Sequence, residues 1–248
     1  MAIVAAAAVF LAAACGGSGS IEAGDRIFDA PPWRGDERFV YAVFDRQLED
    51  TGDEPRCELL TRPEIRPGET QLEEHCAGEY RDDSIVVVRS SDLAPIRSER
   101  RITTEKTVTH TVEYAATVAT FRTDDGESSR ETTRDLPGAT EEHPDPGWYD
   151  DKSLFWLARG LPLAEGYEAR YVHVINVGAP RVLGVDVNVE GLERVETRAG
   201  TFDAWKVRFE RDNTVYFLWV ATEAPRPVVQ ARIEGVTYEL IEAEAPAR

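Results

Sequence analysis

Phe39, Tyr41 and Val43 stand two apart, and from there the chain keeps a period of two rich in β-branched and aromatic residues. Side chains recurring at every second position line one face of a strand. Val108, Val112, Tyr114 and Val118 share one face of a long segment whose other face carries Thr107, Thr109, Thr111 and Thr117. That division predicts a half-buried strand with a solvated side. Asp124-Asp125-Gly126 supplies the Asp-Gly step of a tight hairpin, and residues 137–146 read as a loop. Further strands are expected around 171–177, 182–189, 204–209, 215–220, 228–233 and 236–241. One segment breaks the period. Asp150 and Asp151 can cap a helix start, Leu154, Phe155, Trp156 and Leu157 give it apolar bulk, and Gly160 with Pro162 stops it. The expected fold is all-β: an antiparallel curled sheet, half-barrel or sandwich, with one short helix in the central connection.

Two stretches about 130 residues apart follow the same order. Arg81-Asp82-Asp83-Ser84 precedes Ile85 to Val88, Ala94-Pro95 and Arg100; Arg211-Asp212-Asn213-Thr214 precedes Val215 to Val220, Ala224-Pro225 and Arg232. Arg66-Pro67-Gly68 and Arg198-Ala199-Gly200 correspond upstream. Residues 64–103 and 196–233 therefore read either as a duplicated β-meander about a pseudo-twofold axis or as two unrelated hairpins with common turn chemistry.

The start of the chain is different in kind. Residues 1–14 carry no charge and are nearly all small or aliphatic, as in the core of a secretory signal, and Gly16, Gly17 and Ser18 cut the run short of the roughly 20 residues that span a bilayer. Ala12-Ala13-Ala14-Cys15 resembles a lipobox, which makes Cys15 the expected site of lipidation. Leucine sits one place early, at Leu11, and no Lys or Arg precedes the apolar core. Ordinary cleaved secretion and a cytosolic Ala-rich start stay open beside the lipoprotein reading. Residues 15–35, rich in Gly, Ser, Pro and Asp, read as a flexible tether, and 36–248 as a single β domain.

Formal charge is −18, and only 3 of the 28 basic residues are lysine. So acidic a chain repels phosphate backbones, which argues against nucleic acid as a partner. It also weakens electrostatic docking to anionic lipid, so the lipid anchor carries the membrane attachment. Cys57 and Cys76 are the other cysteines. In an oxidising compartment such a pair reads as a disulfide worth about 3 kcal/mol in the chain-entropy model, the alternative being two buried thiols. No Cys-x-x-Cys or similar metal spacing occurs, and no metal or cofactor is expected.

Ile85 to Val88 and Val215 to Val220 are apolar on both faces. Such strands are either covered on both sides or line an apolar cavity. Leu154, Trp156, Trp205, Phe217 and Trp219 are the candidate wall of that cavity, and a filled core is the other reading. For chemistry, His143, Asp145, Asp150 and Asp151 place an imidazole near three carboxylates, although Pro144 and Pro146 stiffen the loop and the aspartates have a capping role. His110 alternates with Val108 and Val112, as a hydrogen-bonded half-buried residue does, and His75 sits beside Cys76. No Gly-x-Ser-x-Gly elbow, phosphate-cradling loop or His-Glu-x-x-His helix is present, so an enzyme is not expected.

Four segments carry a family resemblance: Asp151-Lys152-Ser153-Leu154 through Arg159-Gly160-Leu161-Pro162, Ala199-Gly200-Thr201-Phe202-Asp203-Ala204-Trp205-Lys206-Val207, Trp219-Val220-Ala221, and Arg226-Pro227-Val228. In these the C-terminal part resembles the bacterial exported proteins grouped as domain of unknown function 3108. The resemblance implies an antiparallel all-β body at the cell envelope and no known catalytic residue. The expectation is a non-enzymatic, lipid-anchored envelope protein on the extracytoplasmic side, binding a hydrophobic small molecule or an envelope protein. The alternatives are an assembly protein without a ligand and an extracytoplasmic hydrolase.

Overall fold

The computed structural model describes residues 24–45, 54–78, 81–139, 141, 146–175 and 180–246. The expected signal at 1–14, Cys15 and the first part of the tether lie outside the described residues, as do His143 and Asp145. The first half of the chain is β1 (Glu37–Asp45), β2 (Arg56–Arg66), β3 (Glu69–Ala77), β4 (Arg81–Arg89), β5 (Pro95–Thr103), β6 (Thr107–Ala115), β7 (Val118–Asp124) and β8 (Ser129–Asp135). A short β9 (Trp148–Asp150), a 3-10 turn (Asp151–Ser153) and the helix α1 (Leu154–Arg159) connect it to the second half. There follow β10 (Glu168–Ile175), β11 (Arg181–Thr197), β12 (Gly200–Arg211), β13 (Thr214–Ala221), β14 (Val228–Ile233) and β15 (Val236–Glu244). Among the described residues no helix is long and apolar enough to cross a membrane.

All 15 strands form one sheet in the order β8-β7-β6-β5-β4-β3-β2-β1-β15-β14-β13-β12-β11-β10-β9. Each pair is antiparallel except β9 with β10. The fold is all-β and the sheet curls, as the alternation predicts. Two cores show how. The larger runs from Phe39 and Tyr41 through Leu72, Val86 and Val88 to Phe209, Leu218 and Leu240, with α1 laid inside the curl. The smaller joins Val112 and Phe121 of β6 and β7 to Val172, Val174 and Val182 of β10 and β11. These strands are far apart in the sheet order, so the second core brings the two ends together through side chains rather than through a ladder. Edge strand β8, Ser-Arg-Glu-Thr-Thr-Arg-Asp, is charged and exposed, which discourages pairing with another chain.

Three expectations need correction. The single long strand predicted across 107–118 is a hairpin: β6 ends at Ala115 and β7 starts at Val118. The turn flips the parity: Val118 pairs with Ala115 and so lies on the face opposite Val112 and Tyr114, while Ala119 and Phe121 take the inner face. The tether does not extend to residue 35. Ile27, Phe28 and Trp33 are buried in the main core, and the Tyr149 hydroxyl accepts from the amides of Ile27 (3.1 Å) and Phe28 (3.2 Å). Three large apolar side chains outweigh the polar average of that stretch, and the folded body already includes Gly24.

The third correction concerns the motifs of the apparent repeat. Arg81 to Ser84 lie within β4, whereas Arg211 to Thr214 form the β12–β13 turn and its flanks. These motifs are not structural equivalents. A shift of three residues brings the strand starts Arg81 and Thr214 into correspondence, and with them the left-handed residues Leu93 (φ 60°) and Arg226 (φ 58°), each two residues before the next strand. Both stretches run in the same strand order, β3-β4-β5 and β12-β13-β14.

Candidate functional site

All six residues of α1 are buried, because the helix lies inside the curl rather than on a surface. Trp156 Nε1 donates to Thr61 Oγ1 at 2.8 Å, and the Phe155 ring meets Tyr41 and Tyr238 edge-on at 5.3 and 5.5 Å. The helix therefore fills the space where an apolar cavity was expected. The five residues assigned to that cavity are not brought together. Leu154 lines a cleft, Trp156 is packed, and Trp205 pairs across the ladder with Val220, on the opposite face from Phe217 and Trp219. Phe217 and Trp219 are covered by Lys206, whose Nζ lies 5.0 and 6.0 Å from their rings, and by Arg232, 5.1 Å over Trp219. Trp219 Nε1 donates to Glu193 Oε2 at 2.7 Å. The strand β13 is apolar on both faces because charged side chains lay their aliphatic stems over the outer one.

A cavity of about 340 Å³ opens beside the N-terminal end of α1. Its wall is mixed. Leu154, Phe155, Ile175, Ile233 and Tyr238 supply apolar surface; Arg100, Lys152, Arg181 and Arg211 bring positive charge; and Glu74, Asp151 and Glu234 bring carboxylates. The ladder explains one side of it. Glu74, Ser84, Arg100, His110 and Thr123 are successive direct partners across β3 to β7, so they form one row on the inner face.

The charges of that row are tightly matched. Lys152 Nζ lies 3.0 Å from Glu74 Oε1 and 3.5 Å from Asp82 Oδ2, while Arg100 grips Asp82 with two bonds of 2.8 and 2.6 Å. Burial works against the Lys152 ammonium, but Glu74 and Asp82 outweigh it and hold the group above the ordinary lysine range. Burial also opposes the Asp82 carboxylate, and Lys152 and Arg100 overcome it, holding Asp82 low. Asp151 behaves differently. Burial, and then the neighbouring Asp150, push its carboxyl up to about 7, and its buried Oδ1 has no hydrogen-bond partner among the described residues. Asp150 caps the turn, with Oδ1 accepting from the Lys152 amide at 3.0 Å and Oδ2 from the Tyr114 hydroxyl at 2.5 Å.

On the facing side, Arg211 Nη2 and the Tyr216 hydroxyl donate to Glu234 Oε1 at 2.9 and 3.1 Å. Burial, helped by the charge of Arg211, depresses His173 to about 3, so its imidazole is neutral; Nδ1 shares a 3.0 Å hydrogen bond with the Tyr171 hydroxyl. Arg181 stands at the rim, its side chain in no ion pair or hydrogen bond among the described residues.

The cysteines expected to pair do so. Cys57 and Cys76 face each other across β2 and β3 and form a disulfide with an S–S distance of 2.00 Å. Among the described residues the only group of three side chains able to ligate a metal is Cys57, Glu74 and Cys76. Its sulfurs are bonded to each other and Glu74 to Lys152, so it offers a cation no thiolate. His75 turns away from Cys76 to Asp83 (2.9 Å) and Glu73 (3.1 Å). His110 is buried on its strand, bonded to Thr123 Oγ1 at 3.1 Å. Asp151 reaches the cleft, and Asp150 is buried behind it. Glu74, Arg100, Arg181 and Arg211 escaped sequence reasoning, although Glu74 and Arg100 carried a signal: charge at the inward parity of otherwise amphipathic strands.

Residues 77–239 match the sequence profile of a family described as protein of unknown function (DUF3108). The match begins well upstream of the C-terminal segments that carry the resemblance. No curated protein matches the chain. Among solved structures, a candidate exported protein with YmcC-like fold from Bacteroides fragilis aligns at 10% identity over 88% of this chain and 99% of its own, with a TM-score of 0.30. A candidate lipoprotein from Parabacteroides distasonis aligns at 9% identity over 88% and 99%, with a TM-score of 0.27. Scores this low carry no argument about fold or function.

Proposed function

The chain belongs to the DUF3108 family, whose proteins are of unknown function, and on that footing we propose that it is an exported, lipid-anchored envelope protein that binds a small ligand in its cleft without transforming it. The observation that carries the reading is the cavity of about 340 Å³ in which apolar side chains, unspent guanidinium donors and the unpartnered Asp151 Oδ1 converge. A concave site with a few convergent polar groups and a displaced carboxyl is the usual form of a ligand site. Export is supported by the uncharged run at 1–14 ending at Cys15 and by the Cys57–Cys76 bridge, since such bonds persist in oxidising compartments. A binding rather than hydrolytic role is supported by His173, the imidazole on the wall, which is held neutral against Tyr171 and not against a nucleophile.

The assembly-protein alternative has less support. The large apolar side chains exposed among the described residues are Phe44, Ile65 and Leu192; the first two lie at opposite ends of the β1–β2 pair and the third on β11, which makes no contiguous patch. The test is native mass spectrometry of mature protein taken from the membrane fraction, beside a Cys15→Ser variant. Expected are a bound small mass lost on denaturation and a shift of the variant to the soluble fraction. Protein free of any bound mass, or a variant that stays with the membrane, would overturn the binding or the anchoring part respectively.

A further inference from the structure

We propose that the cleft takes a small amphipathic anion, its carboxylate or phosphate held between Arg181 and Arg211 and its apolar part laid against Leu154, Phe155 and Tyr238. This rests on the cleft being a ligand site and adds the chemical class. The argument starts from which cations still have donors to give. Lys152 is committed to Glu74 and Asp82, and Arg100 to Asp82 through two bonds. Arg211 gives a single hydrogen bond, to Glu234, and Arg181 gives none among the described residues. A guanidinium carries five N–H donors in a planar fork. Two forks with most of their donors unspent therefore face one cavity.

Forks of that kind match the paired oxygens of a carboxylate or phosphate, and an ammonium does not. Arg211 is 8% exposed, so its charge is screened by little water and gains more from an anion than a surface arginine would. The local charge runs against the whole molecule. On a chain with 46 acidic and 28 basic residues, the cavity wall carries four cations against three carboxylates. Size limits the rest of the ligand. A cavity of about 340 Å³ is at the small end of the range for small-molecule sites, too small for a diacyl lipid.

The test is calorimetric titration of the purified mature chain with decanoate, phenyl phosphate, inorganic phosphate and the neutral decanol. Decanoate or phenyl phosphate should bind at least tenfold more tightly than decanol, and which of the two binds identifies the head group. Arg181→Gln should weaken that binding about tenfold with an unchanged thermal midpoint, since Arg181 holds nothing else. Arg181→Lys should restore part of it. Decanol binding as tightly as decanoate, inorganic phosphate as tightly as phenyl phosphate, or anions binding Arg181→Gln unchanged would overturn the assignment while leaving the cleft a ligand site. Failure of all four compounds would overturn it as well, and a bound mass of another kind in native spectra would then separate a wrong ligand class from a cleft that binds nothing.

Discussion

The Arg159 guanidinium lies 2.7 Å from the Glu37 carboxylate, and both side chains are almost sealed from water, at 2% and 1% exposure. Arg159 also donates to the carbonyls of Pro225 (2.8 Å) and Arg226 (3.0 Å) and stacks over the rings of Trp33 and Phe39. One side chain thus ties α1 to β1, to the N-terminal segment and to the β13–β14 turn. Removing one member strands a buried charge, which typically costs about 3–5 kcal/mol, whereas an apolar or neutral replacement of both is much less costly. Arg159→Met should lose that much in urea denaturation, and Glu37→Gln/Arg159→Met should recover more than half of it. A single-variant loss below about 1 kcal/mol would show that the pair is not the tie described.

The Cys57–Cys76 bridge closes a loop with a sequence separation of 19 on the β2–β3 hairpin. In the chain-entropy account a loop of this size is worth about 3 kcal/mol through the unfolded state. Cys57→Ser/Cys76→Ser should unfold at lower denaturant by about 2–3 kcal/mol, and a reducing agent should leave it unchanged while lowering the parent protein to match. Equal stability with and without reductant in the parent would refute the bridge's contribution.

Period-two alternation placed β1, β6 and β10 to β15 from residues such as Tyr41, Val112 and Val207, whose inward side chains are apolar, but it named no strand over β2, β3 or β8, where charged residues such as Glu74 interrupt the apolar pattern. The helix could be read from Asp150 and Gly160 for the same local reason. What a period cannot state is which side of a strand faces a partner distant in sequence. Phe217 and Trp219 read as pocket wall because nothing local reveals that Lys206 and Arg232, on the neighbouring strands β12 and β14, cover them. The cleft was equally hidden, because Arg100, Lys152 and Arg211 meet only when the sheet curls. Sequence reasoning gave Asp151 a capping role and a place in the His143 loop cluster, and its position on the cleft wall beside Arg100, 4.0 Å away, appears only in the fold.

Asp151 sets an expected pH dependence. Burial and Asp150 raise its folded pKa to about 7, above the ordinary carboxyl value of about 4. The folded state then binds more protons than the unfolded one between those values, so this group's contribution falls as pH rises from about 4 to 7 and stays low above. Asp151→Asn removes the charge. The variant should match the parent near pH 4 and melt about 2–4 °C higher at pH 8, the shift expected for roughly 1 kcal/mol in a body of this size. Asp150 is displaced in the same direction, so some dependence persists. A variant less stable than the parent at pH 8 would contradict the direction.

Closure of the curl concentrates in Tyr114. Its hydroxyl donates to Asp150 Oδ2 at 2.5 Å, and its ring stacks on Trp148 at 6.0 Å with planes 9° apart, joining β6 to β9 although they are far apart in the sheet order. Burial and the Asp150 charge hold the phenol well above the ordinary tyrosine range, so it is a permanent donor. Tyr114→Phe keeps the stack and removes the donor, leaving a buried carboxylate oxygen short of a partner at about 1–3 kcal/mol. The loss should be local. Hydrogen exchange should speed up in β6, β7 and β10, the strands of the smaller core, while β12 and β13 retain their protection, because local opening follows cooperative packing units. Exchange that rises evenly across β1, β12 and β13 would mean that the ends of the sheet are held together by something other than this contact.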